Sequence, residues 1–366
     1  MKKMKSYMKT IGRGREEAMK VGIIGCGRIA QTRHIPEYAE HPGVQIAGYY
    51  DFNVKRAEEL AAAYGGKVYE SADALLADRG IDAVSVCTAN HTHGEITVKA
   101  LRSGKHVLCE KPMGISLEEC RAMVHAAAEN NRKLMIGQNQ RFARAHVRAK
   151  ELLMEGLIGN VLTFRTTFGH GGPETWSIDG GANSWFFDKE RASMGAMADL
   201  GVHKTDLIQF LLDQKVAAVT AQMLTLDKRY ESGELIGVDD NAICIYEMEH
   251  GAIGTMTASW TYYGREDNST ALYGTRGMMK IYDDPDHSIS VILKNGERIL
   301  YDIDQIQTND NQTKSGIIDG FVDALEAGTE VPVSGADVLN AMEAVFACQK
   351  SSREMQRIVI RKKGGK

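Results

Sequence analysis

Three short clusters in the 366-residue sequence carry side chains able to do chemistry. Asp199-Leu200-Gly201-Val202-His203-Lys204-Thr205-Asp206 sets two carboxylates around one imidazole. If this segment is helical, Asp199 lies one turn before His203 and Asp206 one turn after, all on one face. A carboxylate beside an imidazole raises its basicity, which suits abstraction of an alcohol proton as hydride leaves carbon. A capping Asp and a core His would leave the same pattern. Two carboxylates and one His fall short of a zinc donor set, so no metal is expected. Glu110-Lys111-Pro112 ends an apolar run. Proline fixes the backbone and bars further strand pairing, so Lys111 projects from a defined point. Its ammonium can donate to a substrate hydroxyl, steady a developing alkoxide or relay a proton. Gly25-Cys26-Gly27-Arg28-Ile29-Ala30 is G-x-G-x-x-A, set between an apolar run and a helical pattern. The first glycine permits a tight turn, the second lets backbone approach a pyrophosphate, and the small third residue packs helix on strand. Gly25, Gly27, Arg28 and Ile29 are therefore expected against a dinucleotide at a helix N-terminus. Asp51 follows about 20 residues later, where a carboxylate accepts from both ribose hydroxyls and repels a 2′-phosphate. NAD(H) is thus favoured over NADP(H), although Lys55 and Arg56 stand close by as cations on the cofactor side.

The elements that must position these clusters follow two rhythms. From Lys20 to Phe142, short apolar runs alternate with helical patterns. Strands are expected at 21–25, 44–50, 67–69, 83–88, 106–110 and 133–137, with helices at 54–64, 96–103 and 117–130. Near-continuous apolar strands between helices imply a parallel, doubly wound sheet covered on both faces. After a helix at 145–155 the strands lengthen, at 161–168, 217–226, 242–248, 252–262, 269–274, 278–282 and 289–294. Glu249-His250-Gly251 and Lys294-Asn295-Gly296 read as hairpin turns. This half reads as an α+β domain on a large, mostly antiparallel open sheet, with helices at 201–212, 315–327 and 336–355 over one face. The expected division is an extension at 1–19, a Rossmann domain at 20–142 and a substrate and oligomerisation domain at 143–366. The extension is basic and lacks the apolar run of a secretory signal. It is expected to be a flexible tail or a mis-assigned start, with Met19 opening the true chain.

Composition excludes several classes. A formal charge of −4 argues against nucleic acid as partner. No apolar run approaches the length needed to span a bilayer. The six cysteines are scattered without a C-x-x-C pair, so buried free thiols and a reducing, cytoplasmic compartment are expected.

Taken in order, Gly25–Ala30, Asp51, Thr88-Ala89-Asn90-His91-Thr92-His93, Glu110-Lys111-Pro112 and Asp199-x-Gly201-x-His203-x-x-Asp206 resemble the glucose–fructose oxidoreductase / inositol dehydrogenase / MocA family. The resemblance covers about residues 20–355. It implies a Rossmann domain, a C-terminal sheet serving a homodimer or homotetramer, and hydride transfer between nicotinamide and a hydroxyl of a sugar, glycoside or cyclitol. It implies that Lys111 lies near nicotinamide and substrate, that His203 with Asp199 takes the proton, and that Thr88, Asn90, His93, Glu110 and Asn139 stand on the cofactor side. Arg141, in Gly137-Gln138-Asn139-Gln140-Arg141-Phe142, matches a family stretch and is expected at the substrate, as are His170 and Trp185. Two departures bear on pocket shape: Met occurs in Ser193–Ala198 where Gly is commoner, and Ala89 stands where Pro is common. The same resemblance leaves two other activities to weigh. One is glycoside cleavage through transient oxidation by held NAD, and the other is non-catalytic sugar sensing. Family relatives of the first kind alter the E-K-P or D-x-G-x-H positions, which are intact here.

Overall fold

The computed structural model describes residues 18–178, 180–182, 184–306 and 314–361. Most of the N-terminal extension lies outside them. Met19, however, opens the first strand, 3% exposed, with its N–H on the Gly43 carbonyl at 2.8 Å. The first strand thus begins at Met19 rather than Val21.

The N-terminal half is a six-stranded sheet in the order β3-β2-β1-β4-β5-β6. Its strands are β1 (Met19–Ile24), β2 (Val44–Tyr50), β3 (Lys67–Val68), β4 (Ala83–Val86), β5 (His106–Cys109) and β6 (Leu134–Ile136). All pairings are parallel. β4 is buried at every position, as a strand roofed on both faces must be. Five helices cross between strands: α1 (Ile35–Glu40), α2 (Val54–Tyr64), α3 (Ala72–Ala77), α4 (His93–Arg102) and α5 (Leu117–Glu129). Ser71 and Ser116 cap α3 and α5 by accepting from the backbone N–H three residues on, which satisfies an otherwise orphaned donor. The strand order is that of a dinucleotide-binding sheet, whose ligands sit beyond the carboxyl ends of the strands.

The second sheet has nine strands in the order β14-β13-β12-β11-β7-β10-β9-β8-β15. They are β7 (Val161–Gly169), β8 (Val216–Leu224), β9 (Asn241–Met248), β10 (Ile253–Ser259), β11 (Thr270–Gly274), β12 (Gly277–Ile281), β13 (Ile289–Leu293), β14 (Arg298–Tyr301) and β15 (Ile358–Val359). Only β7 and β10 pair in parallel. Burial alternates along β9, so one face is covered and the other is open. β14 and β15 are short and half-exposed, and their three-residue apolar runs, Ile299–Tyr301 and Ile358–Ile360, are too brief to announce a strand.

Helix α6 (Arg144–Met154) leads into this sheet, and a single turn, α7 (Lys189–Ala192), precedes the Asp–His motif. Helix α8 (Val202–Leu212) packs on β7 and α10 (Gly335–Glu354) on β8. The helix α9 (Ile317–Ala327), expected on the same face, packs instead on α1 of the Rossmann half. Ser315 N–H donates there to Glu37 at 2.8 Å. The chain then runs beside β6, with Ile136 N–H on the Val333 carbonyl at 3.0 Å. Helix α10 goes on to touch both α5 and β8, joining the two sheets. All six cysteines are buried and free. No helix among the described residues is long and apolar enough to cross a membrane.

Candidate active site

A cavity of about 850 Å³ lies between the two halves. One arm is walled by the glycine loop. Gly25 has φ +92°, and a Cβ there would come within 2.6 Å of the Cys87 backbone, so both the turn and the close approach demand glycine. At Gly27 a Cβ would meet no protein atom within 4 Å. Packing does not require glycine there, but the space it leaves opens on the cavity, as close approach of a pyrophosphate requires. The helical turn beginning at Arg28 offers its N-terminal donors to the same space. Asp51 is 7% exposed and accepts from Cys26 N–H at 2.6 Å and Asn53 N–H at 2.8 Å. Its carboxylate is thereby fixed in the cavity wall. Arg28, Ile29, Arg56, Thr88, Asn90, Glu110 and Asn139 line the same cavity. This wall fits a dinucleotide.

His93 is the exception among the expected cofactor contacts. It is buried outside the cavity wall, with its ring nitrogens on the carbonyls of Pro112 (2.7 Å) and Thr88 (3.0 Å). Burial outweighs those carbonyls and holds its pKa down. Its place is to tie the loop after β4 to the Lys111–Pro112 turn.

The second arm holds the catalytic candidates. Lys111 Nζ donates to Asp199 Oδ1 at 2.8 Å and to the Asp199 carbonyl at 2.9 Å. Asp199 Oδ2 accepts from the Trp260 indole at 3.1 Å. Burial alone would raise the Asp199 carboxyl, but the Lys111 charge, with the hydrogen bonds from Lys111 and Trp260, outweighs it and holds its pKa down. Asp199 thus stays ionised and anchors the lysine.

The expected Asp199–His203 pair is corrected by this geometry. Met197–Gly201 is a π-turn, so the 3.6-residue spacing does not apply across it. Asp199 spends its carboxylate on Lys111 and Trp260, and the imidazole 3.8 Å from Oδ2 belongs to His170. His203 is pushed well below the usual histidine range, first by burial and then by Lys111, with Asp199 opposing. Its Nδ1 is sealed without a partner, while the ring lines the cavity. A neutral imidazole facing the cavity can accept a proton.

Arg141 likewise departs from expectation. It lies outside the cavity wall, holding Asp206 through two bonds of 2.6 Å. Burial opposes its charge, but Asp206 more than restores it and raises the pKa. The pair locks the Gly137–Phe142 stretch to α8, so it supports the site without lining it. His170 and Trp185 do line the cavity, Trp185 stacked on Phe186 at 4.0 Å between centroids.

Several contributors escaped the sequence reading. His34 Nε2 lies 2.9 Å from Glu110, and its Nδ1 lies 3.1 Å from Ser85, itself bonded to Tyr38. Burial raises the Glu110 carboxyl, yet His34, Arg33 and Lys111 bring it to about 2. This buried chain fixes the residue that precedes Lys111. Trp260, at the end of β10, has no local signal at all. Its role depends on a partner 61 positions away.

Comparison with known proteins agrees with this geometry. The GFO/IDH/MocA oxidoreductase family, described as an NAD-binding Rossmann fold, matches residues 19–138, and its C-terminal domain matches 146–280. Inositol 2-dehydrogenase of Rhizobium meliloti is 27% identical over 343 residues, 93% of this chain and 99% of that protein. Levoglucosan dehydrogenase of Pseudarthrobacter phenanthrenivorans is 31% identical over 290 residues, 71% of this chain and 72% of that protein. A solved levoglucosan dehydrogenase in complex with NADH and levoglucosan superposes with a TM-score of 0.81 at 25% identity, over 94% of this chain and 99% of that one. The chain therefore belongs to the Gfo/Idh/MocA oxidoreductases, as an NAD-binding dehydrogenase of CH–OH groups.

Proposed function

We propose that the protein oxidises a secondary hydroxyl of a sugar, glycoside or cyclitol, or runs the reverse reduction. The observation that carries this reading is the Lys111–Asp199 ion pair, which shares one cavity with His203 and the glycine loop. Gly25, Gly27, Arg28, Ile29 and Asp51 hold the dinucleotide, with Arg56, Thr88, Asn90, Glu110 and Asn139 beside it. Bound NAD supplies the two-electron acceptor for hydride from the carbinol carbon. His203 takes the hydroxyl proton at Nε2, which requires its own proton to reside on Nδ1. Lys111, oriented by Asp199, donates to the reacting oxygen and stabilises the charge that develops there. His170 and Trp185 bound the substrate, one offering a polar edge and the other an aromatic plane. Inositol, levoglucosan and glucoside dehydrogenases among the relatives support a polyhydroxylated ring.

An NAD reduction screen across inositols, aldoses and glycosides tests the reading. The expected result is turnover in one class, abolished in Lys111→Ala and His203→Ala. Turnover that survives both substitutions would sink the mechanism. Tightly bound NAD with no turnover on any class would favour the non-redox use of the cofactor.

The open face of the second sheet supports assembly of two or four copies. Ile243, Ile245 and Ile253 stand exposed together on β9 and β10. Light scattering after size exclusion is expected to give a dimer or tetramer, reduced to smaller species by Ile243→Lys with Ile245→Lys. A monomeric wild type rules the sheet out as an interface.

A further inference from the structure

The loop from His170 to Ile178 forms one wall of the substrate arm, and it is fastened from a point outside the catalytic motif. Lys228, 6% exposed, donates to the Gly171 carbonyl at 2.5 Å, pairs with Glu174 and lies 4.8 Å from the Tyr263 ring centre. Gly172, between the two anchored residues, has φ +106°. A Cβ there would come within 2.4 Å of Glu174 Oε2 and 3.0 Å of Lys228 Cε. Loop and clamp therefore fit together only around glycine.

The consequence falls on His170. Gly172 N–H donates to His170 Nδ1 at 3.0 Å. A backbone N–H can only donate, so Nδ1 is the bare nitrogen and the neutral ring carries its proton on Nε2. Burial leads in keeping the ring neutral; Lys111 and Lys228 act with it, while Asp199 and Glu174 oppose. Nε2 lies 3.8 Å from Asp199 Oδ2. That is too long for a direct hydrogen bond. It suits a hydroxyl oxygen placed about 2.8 Å from each, accepting from Nε2–H and donating to the carboxylate. An imidazole so held cannot act as the base at Nε2, which leaves that task to His203.

We propose that Lys228 and Glu174 are positioning residues whose ion pair fixes His170 as an Nε2–H donor, so that His170 and Asp199 together seat a second substrate hydroxyl. The hydroxyl part rests on the substrate class proposed above; the tautomer part does not. Lys228→Met and Glu174→Gln, labelled with ¹⁵N-histidine, are compared with wild type by long-range ¹H–¹⁵N correlation, with His170→Asn assigning the ring. Wild type is expected to show His170 with a bare Nδ1 and a protonated Nε2. Both variants are expected to mix tautomers. With the substrate found by the screen, KM is expected to rise about tenfold, the loss of one oriented hydrogen bond, while kcat changes by less than about threefold. Lys228→Arg should restore both. If Lys228→Met does not fold, Glu174→Gln, which keeps the shape of the clamp, carries the comparison. A wild-type ring protonated on Nδ1, or folded variants that keep the Nε2–H form and an unchanged KM, overturns the proposal. The tautomer is read without substrate, so its outcome is independent of the substrate class.

Discussion

Lys111→Met is expected to lower kcat about a thousandfold and to move the acid limb of the pH profile upward. The loss follows from removing the donor that Asp199 Oδ1 orients within the cavity. The pH effect follows from His203. A base must be unprotonated to act, so activity falls as pH drops through its pKa. Burial and then Lys111 hold that pKa well below the ordinary histidine value, with Asp199 opposing. The wild-type plateau should therefore extend to pH values below about 6.5. Without the ammonium, burial and Arg33 still lower the imidazole but Asp199 is less opposed, so the pKa rises and protonation begins at higher pH. Profiles of kcat/KM for both proteins check this, with circular dichroism melts to separate lost chemistry from lost fold. An acid limb that stays put or moves down would mean that Lys111 does not act on the base.

Lys204→Met is expected to stabilise the protein at neutral pH. Lys204 is fully buried, donates to the Asn268 carbonyl at 2.9 Å and lies 6.0 Å from the Phe168 ring centre. Burial lowers its pKa to about 7, against the pull of Asp267 and Glu266. In the unfolded chain the amine holds its proton up to about pH 10.4. Between those two values the unfolded state binds more protons, so wild-type stability should rise with pH across that window. Below pH 7 the full cost of the burial is present. Methionine removes a penalty of roughly 4 kcal/mol and forfeits a hydrogen bond to Asn268, whose unpaired carbonyl costs about 2 kcal/mol. A net gain of about 2 kcal/mol at pH 7 should appear as a higher urea midpoint, together with loss of the rise between pH 7 and pH 9. Equal pH slopes in the two proteins would refute the assignment.

The parts of the site legible in the sequence were those whose partners are near neighbours. Gly25–Ala30 carries its turn, close approach and helix start within six consecutive positions, so the motif could be read whole. Asp51 ends a strand of strong pattern and grips the loop through Cys26 N–H. The Lys111–Asp199 bond spans 88 positions, and only the family resemblance brought its two ends together beforehand. Spacing misled at His203, because helical periodicity was applied across a π-turn. It also hid the claim of Asp206 on Arg141, although both residues had been singled out. The Lys228–Glu174 clamp has no sequence signature, since its meaning lies in the backbone of Gly171 and Gly172 between them. The fold divided the same way. Long alternating strands announced themselves, while β14 and β15 are strands by virtue of a neighbour's edge.

The pairing of Ile136 with Val333 bears on how the molecule is made. The Rossmann strands leave the ribosome well before Val333, with the outer edge of β6 bare and its hydrogen-bonding groups open to any passing strand. Residues that close this edge, and the helix Gly335–Glu354 that roofs α5, are translated only after the whole second sheet but its β15 edge strand. The cofactor sheet is thus completed by a segment that lies far along the chain from the strand it covers. A fragment cut at residue 142 would hold every expected nucleotide contact and still lack the segment that seals its sheet.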